Sequence, residues 1–149
     1  MKTLLILIPG LCVTLSLHAQ TVSEESVPEI VRSGLPKSYA AKGVKWSKEE
    51  ANYEATFKKD GKEISLVIDP SGKTIETETE IKTAELPAAV ATSIKRDYAG
   101  YSIEEAAKIV AANGEVTYEA EVEKGKQTFE LILAADGSIL SKETKDDRD

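Results

Sequence analysis

Cysteine, histidine, methionine and tryptophan occur once each in the 149 residues, as Cys12, His18, Met1 and Trp46. The first three lie within residues 1–19, a segment with the plan of a secretory signal. Lys2 precedes an apolar run from Leu4 to Leu17 and the small residue Ala19 closes it. The run is too short to span a bilayer, which takes about 20 apolar residues. Leu11 stands before Cys12 where a lipoprotein signal has glycine, alanine or serine, so Cys12 is read as part of the apolar segment. Cleavage is expected between Ala19 and Gln20, leaving a chain without cysteine, histidine or methionine. That excludes disulfides, zinc sites built on Cys and His, and Cys-His or Ser-His-Asp nucleophile arrangements.

Basic charge is also scarce. Lys2 is the only charged residue of the segment, so the remaining chain carries 18 basic against 26 acidic side chains, a net of −8. An acidic chain is a poor ligand for nucleic acid or an anionic membrane, and neither is expected as a partner. No other apolar run approaches membrane length. The expected location is the periplasm or the exterior.

What the chain does have, it has twice. Tyr53-Glu54-Ala55-Thr56-Phe57, a turn at Asp60-Gly61, Ile64 to Ile68, a turn at Ser71-Gly72 and Ile75 form the first copy. Tyr118 to Val122, a turn at Lys124-Gly125, Phe129 to Leu133, a turn at Asp136-Gly137 and Leu140 form the second. The interval from tyrosine to the second glycine is 19 residues in both copies. Alternation with period two predicts strands with one apolar and one polar face, as in an antiparallel sheet covered on one side. Ile75 to Ile81 alternates as well, with Glu76, Glu78 and Glu80 opposite the apolar and threonine positions.

A stripe recurring every four residues precedes each set of strands: Val27, Val31, Leu35 and Tyr39, then Leu86, Val90, Ile94 and Tyr98. Each predicts a helix with one apolar face, begun by Pro28 or Pro87. Gly34 and Pro36 predict a bend or break in the first. Gly43 to Trp46 predicts a short strand. Tyr101 to Val110 fits either a bulged strand or a helical turn, and Asn113-Gly114 a tight turn. The expected fold is α+β: a tandem repeat, each copy a helix packed on a three- to four-stranded antiparallel sheet. The expected boundaries are a signal at 1–19, a flexible polar lead at 20–26, repeats at 27–82 and 83–144 that fold as one unit, and a frayed charged tail at 145–149.

Several residues in this order resemble the PepSY-like, beta-lactamase-inhibitor-like family of exported bacterial proteins. They are Val44-Lys45-Trp46, Tyr53 to Phe57, Gly61-Lys62-Glu63, Glu76-Thr77-Glu78, Leu86 to Val90, Tyr98, Gly100, Ile103 to Ala106, Tyr118-Glu119-Ala120 and Asp136-Gly137. The resemblance spans roughly Val27 to Lys142. It implies a tandem helix-plus-sheet fold, export, and no assigned catalytic residues. The inhibitor part of the description is a likeness of fold and carries no activity with it. The chain departs from the family pattern at Gly34-Leu35-Pro36, and at Ala40 to Gly43 and Ala99-Gly100, where a Tyr-Pro-Gly turn is commoner.

Candidate site residues follow from exposure and position. The hairpin tips Lys59-Asp60-Gly61-Lys62 and Lys124-Gly125-Lys126 are candidate contacts for a protein partner in the cell envelope, since loop tips on a rigid scaffold often carry recognition. Tyr101 has no counterpart in the first copy and is expected to be exposed. Trp46 and the paired tyrosines Tyr39, Tyr53, Tyr98 and Tyr118 are expected to pack. The acidic rows Glu54, Glu76, Glu78 and Glu80, then Glu119, Glu121 and Glu130, are expected to be a solvated face that blocks aggregation. Asp60, Asp69 and Asp136 are expected to serve turns, and none opens a calcium-binding loop of the EF-hand kind.

The expected function is an exported, non-enzymatic binding module without a cofactor, an inhibitor or modulator of an envelope peptidase or other hydrolase. The alternative is a periplasmic carrier of a small molecule or of calcium. N-terminal sequencing of the exported protein is expected to begin at Gln20; retention of residues 1–19 would overturn the signal assignment.

Overall fold

The computed structural model describes residues 20–36 and 43–145. The expected signal at 1–19, Tyr39, residues 40–42 and the rest of the expected charged tail, 146–149, lie outside the described residues. Within them, nine strands join in one antiparallel sheet whose spatial order is the chain order. They are β1 (Gln20–Val22), β2 (Lys45–Glu49), β3 (Asn52–Lys59), β4 (Lys62–Ile68), β5 (Thr74–Glu80), β6 (Ser102–Ala111), β7 (Val116–Lys124), β8 (Gln127–Ala134) and β9 (Ile139–Lys145). The helices are α1 (Glu29–Ser33) and α2 (Ala88–Asp97), each preceded by a 3-10 turn, at Glu24–Ser26 and Thr83–Glu85.

Turn chemistry sets the register. Lys59 opposes Lys62 across Asp60 and Gly61, both at positive φ (54° and 80°), the backbone of the two-residue turn that suits the twist of a hairpin. The other glycine turn of each copy does something different. Gly72 (φ +84°) and Gly137 (φ +87°) lie against the helices. A Cβ at Gly72 would collide with the carbonyl oxygen of Ile30, and one at Gly137 would stand 2.5 Å from that of Ala89. Ile30 and Ala89 are equivalent in the two copies, so the same backbone-on-backbone contact is made twice. Asp69 and Asp136 brace these turns. Asp69 Oδ1 accepts from the Ser71 amide at 2.8 Å, and Asp136 Oδ1 from the Ser138 amide at 2.9 Å.

Two apolar clusters share one side of the sheet. Val27 and Val31 pack with Trp46, Ala55, Phe57, Ile64, Leu66 and Ile68. Leu86, Val90 and Ile94 pack with Ala106, Ala120, Val122, Leu131 and Leu133. Trp46 is buried, as its neighbour Val44 suggests.

The architecture differs from the expectation in three places: the joining of the sheets, the polar lead and Lys145. The two sheets are one, because β5 and β6 pair from Glu76–Ala111 to Glu80–Ala107 and join the copies edge to edge. The polar lead is in part a strand: β1 pairs with β2, with Val22 opposite Trp46, where its side chain packs against the first cluster. The first helix, five residues long, ends at Gly34, within the break that Gly34 and Pro36 predict. Lys145, expected in a frayed tail, closes β9, held by two carboxylates described below. Of the two readings for Tyr101 to Val110, the strand with a bulge is the one observed, its irregularity falling between Ile103 and Glu105.

Gly137→Ala is expected to destabilise the protein by about 2 kcal/mol or more, combining strained backbone with a steric clash. Gly114→Ala, at the same φ with open space around it, should cost only about 1 kcal/mol. Urea denaturation of both variants checks the difference; equal losses would remove the helix–turn contact as its cause.

Candidate functional site

The side of the sheet opposite the apolar clusters is polar across both copies. The register gives three rows that cross the junction or lie beside it. Ser47, Glu54, Val67, Glu76 and Ala111 form one row. Thr56, Ser65, Glu78, Ile109 and Thr117 form the next. Glu80, Ala107, Glu119, Ile132 and Ser141 form the third. Beyond them, Glu105 opposes Glu121, which opposes Glu130, which opposes Glu143.

This face is not the evenly solvated surface that the alternation suggests. Glu130 is 7% exposed, and Glu54, Glu76, Glu78, Glu119 and Glu121 are half-buried, while Glu80 remains exposed. The physical reason is that these glutamates sit on interior strands, β5 only because the copies join, so each is flanked on both sides by neighbouring strands.

Four like charges in one row would repel, and Lys145 answers half of them. Its Nζ lies 3.0 Å from Glu121 Oε2 and 2.7 Å from Glu130 Oε2, spanning β7 to β9. Burial alone would lower the Lys145 pKa, but hydrogen bonds from the ammonium to Glu130 and Glu121 outweigh it and hold the pKa well above the usual lysine value.

Glu78 and Glu119 have no such partner. Burial, followed by the charges of Glu54, Glu76 and Glu130, raises Glu78 to about 7. Burial, followed by the charges of Glu78 and Glu130, raises Glu119 to about 8. Glu76 is also raised, by burial and then by Glu54. Glu119 Oε2 is fully buried and lacks a hydrogen-bond partner. Glu78 and Glu119 line a cleft of about 220 Å³ together with Lys58, Glu63, Ser65, Glu80, Glu105 and the pair Ala106-Ala107. No group of three or more Asp, Glu, His or Cys among the described residues is placed to hold a metal ion.

The two candidate tips come to the same end of the sheet, because alternate turns of a meander share an end. They lie four strand spacings apart, about 20 Å. Lys62 Nζ is 3.7 Å from Glu85, an exposed pair, while Lys124 lies over the Tyr101 ring, 5.5 Å from its centroid. Tyr101 departs from expectation: it is half-buried. Its ring packs against Tyr98 and Phe129, with centroids 5.7 and 5.8 Å away. Its hydroxyl donates to Gln127 Oε1 at 2.8 Å. Phe129 and Tyr98 draw it in, and Lys124 lies over its ring. Lys145 and Ala107 are the site residues that the sequence reading missed. Extending the alternation of β9 through Ser141, Glu143 and Lys145 would have placed the lysine on the acidic face.

The family model described as "Putative beta-lactamase-inhibitor-like, PepSY-like" matches residues 13–76 and 69–141, once for each copy. Solved structures share the fold. A "putative periplasmic" protein from Bacteroides eggerthii superposes with a TM-score of 0.71 at 20% identity, over 79% of this chain and 88% of its own. A DUF2874 family protein from Bacteroides uniformis gives 0.69 at 22% identity, over 78% and 88%. A BLIP-like protein from Bacteroides fragilis gives 0.63 at 24%, over 82% and 89%. No curated protein matches the chain. At these identities the likeness concerns the fold.

Lys145→Met is expected to lower stability by about 2 kcal/mol, because it leaves Glu130 buried without its cation. Adding Glu130→Gln should recover part of that loss. Urea denaturation of the single and double variants tests this, and a Lys145→Met protein as stable as the wild type would deny the bridge its role.

Proposed function

The chain belongs to the PepSY-like, beta-lactamase-inhibitor-like family, and from that premise we propose that it is a non-enzymatic protein-binding module of the cell envelope. Its partner is a hydrolase or peptidase, which it inhibits or modulates. The observation that carries this reading is the breadth of the polar sheet face. Nine strands at about 4.8 Å spacing and about seven residues each give a face on the order of 900 Å². A stable protein interface takes about 800 Å² from each partner. The acidic cleft, at about 220 Å³, falls below the size of ordinary small-molecule sites, which begin near ~300 Å³.

In this reading the partner lies on the polar face and meets both tips along one rim. Lys59, Asp60, Gly61 and Lys62 contribute one contact and Lys124, Gly125 and Lys126 the other, with Tyr101 under Lys124 at the second. Acidic side chains on the face suit a partner surface with basic loops, which raises the rate of encounter more than the final affinity. Envelope location is supported by the signal plan of residues 1–19 and by the description of the B. eggerthii relative. Among the described residues no helix is long and apolar enough to cross a membrane.

The test immobilises the chain from Gln20, exposes it to envelope extract and identifies what is retained. The expected result is one hydrolase or peptidase, displaced by free chain, whose activity falls as the chain is titrated in. Replacing Lys59, Lys62, Lys124 and Lys126 with serine should weaken that binding about tenfold or more, or ~1.4 kcal/mol. Unchanged binding would remove the tips from the interface. Retention of nothing above background would sink stable inhibition of an envelope enzyme.

A further inference from the structure

The copies meet at β5 and β6, and the acidic cleft lies over that junction. Glu78 belongs to the last strand of the first copy and Glu119 to the second strand of the second. Between them runs β6, which presents Ala107 opposite both Glu80 and Glu119, and Ile109 opposite Glu78. Ala107 has no bulk to fill the space above itself, so the cleft has an alanine floor and carboxyl walls drawn from both copies. One wall includes Glu119 Oε2, sealed from water and without a hydrogen-bond partner. An ionised carboxylate held this way would cost several kcal/mol, whereas a protonated one loses the charge and gains a donor.

Among the surrounding charges Lys145 eases both carboxyls, but less than burial and the neighbouring carboxylates raise them. From β3 come Glu54 and Lys58, the lysine exposed at the rim and without an ion pair among the described residues. From β4 comes Glu63, and β5 adds Glu76 and Glu80. Glu105 faces the cleft from β6, and its row continues outside the cleft through Glu121 on β7, Glu130 on β8 and Glu143 on β9. Two further cations lie on this side: Lys45 on β2, exposed at the far end of the Glu78 row, and Lys145, bonded to Glu121 and Glu130.

We propose that Glu78 and Glu119 hold protons between them as a latch on the junction of the two copies, and that proton release sets like charges against each other across β6 and loosens the β5–β6 pairing. The reaction is a simple dissociation: each carboxyl O–H gives its proton to water and leaves a carboxylate. This goes beyond the binding reading and does not rest on it, since the readout below is the chain alone.

The sign follows from linkage. The pair sits at about 7 and about 8 in the folded chain, against an ordinary glutamate value near ~4.3 when unfolded. Between these limits the folded state binds more protons than the unfolded one, so stability falls as pH rises. The contribution is fully present below the unfolded value and is lost as pH passes the folded ones. Because the titrations interact, two apparent midpoints belong to the pair rather than to either residue.

The experiment follows side-chain carboxyl carbons of the full mature chain by NMR from about pH 4 to 9, and backbone hydrogen exchange, corrected for intrinsic rate, at about pH 6 and pH 8.5. Expected are two carboxyl midpoints above about 6.5. Opening at residues 76–80 and 107–111 should rise about tenfold over that range, the equivalent of one unit of linked titration. The β2–β3 ladder should not change. In Glu78→Gln with Glu119→Gln the junction should open within about twofold of the same rate at both pH values. Midpoints of Glu78 and Glu119 below about 5.5 would overturn the proposal, as would a junction insensitive to pH in the wild type or equally sensitive in the double variant. If the double variant does not fold, the wild-type carboxyl midpoints decide.

Discussion

Five residue pairs between β5 and β6 make this molecule one object rather than two. Each copy taken alone would present an open edge strand, with unpaired amides and carbonyls along it, and edges of that kind invite pairing with other chains. Joining them satisfies both edges at once. It also turns β5 and β6 into interior strands, and from that follow the breadth of the polar face and the burial of Glu76 and Glu78. The Glu76, Glu78 and Glu80 row, which on an edge strand would be a solubilising device, becomes the middle of a sheet.

The acidic face therefore carries its charge in three physical situations. Glu121 and Glu130 share a lysine. Glu80 is exposed and dissipates its field into water. Glu78 and Glu119 make no such bond, and burial, followed by the neighbouring carboxylates, raises both well above the ordinary glutamate range. A duplicated chain explains the crowding: alternation repeats faithfully, so both copies place glutamates on the same side, and fusion brings them together. Lys145 lies at the end of the last strand, outside the duplicated pattern.

The opposite side is governed by helix contact. α1 and α2 reach the sheet through equivalent valines, Val31 and Val90, and through carbonyls that touch the glycines of equivalent turns. The duplication is therefore preserved more strictly in these backbone contacts than in helix length, where five residues stand against ten.

Local order was legible in the residues themselves. Period-two alternation, Asp60-Gly61 and the glycines at 72 and 137 determined most strands, because a turn requiring positive φ admits few residue types. The stripes at Val27 and Leu86 determined both helix starts, and Val44-Lys45-Trp46 the burial of the tryptophan. Residue identity cannot say which edge meets which edge, since backbone hydrogen bonds are the same whatever the side chain. The single sheet, the pairing of β1 and the enclosure of Glu78 and Glu119 were decided only in three dimensions. Tyr101 was decided there too, since its packing partner Phe129 is 28 positions away in the chain. So was the reach of Lys145 across two strands, where proximity came from the sheet register and not from neighbours in the chain.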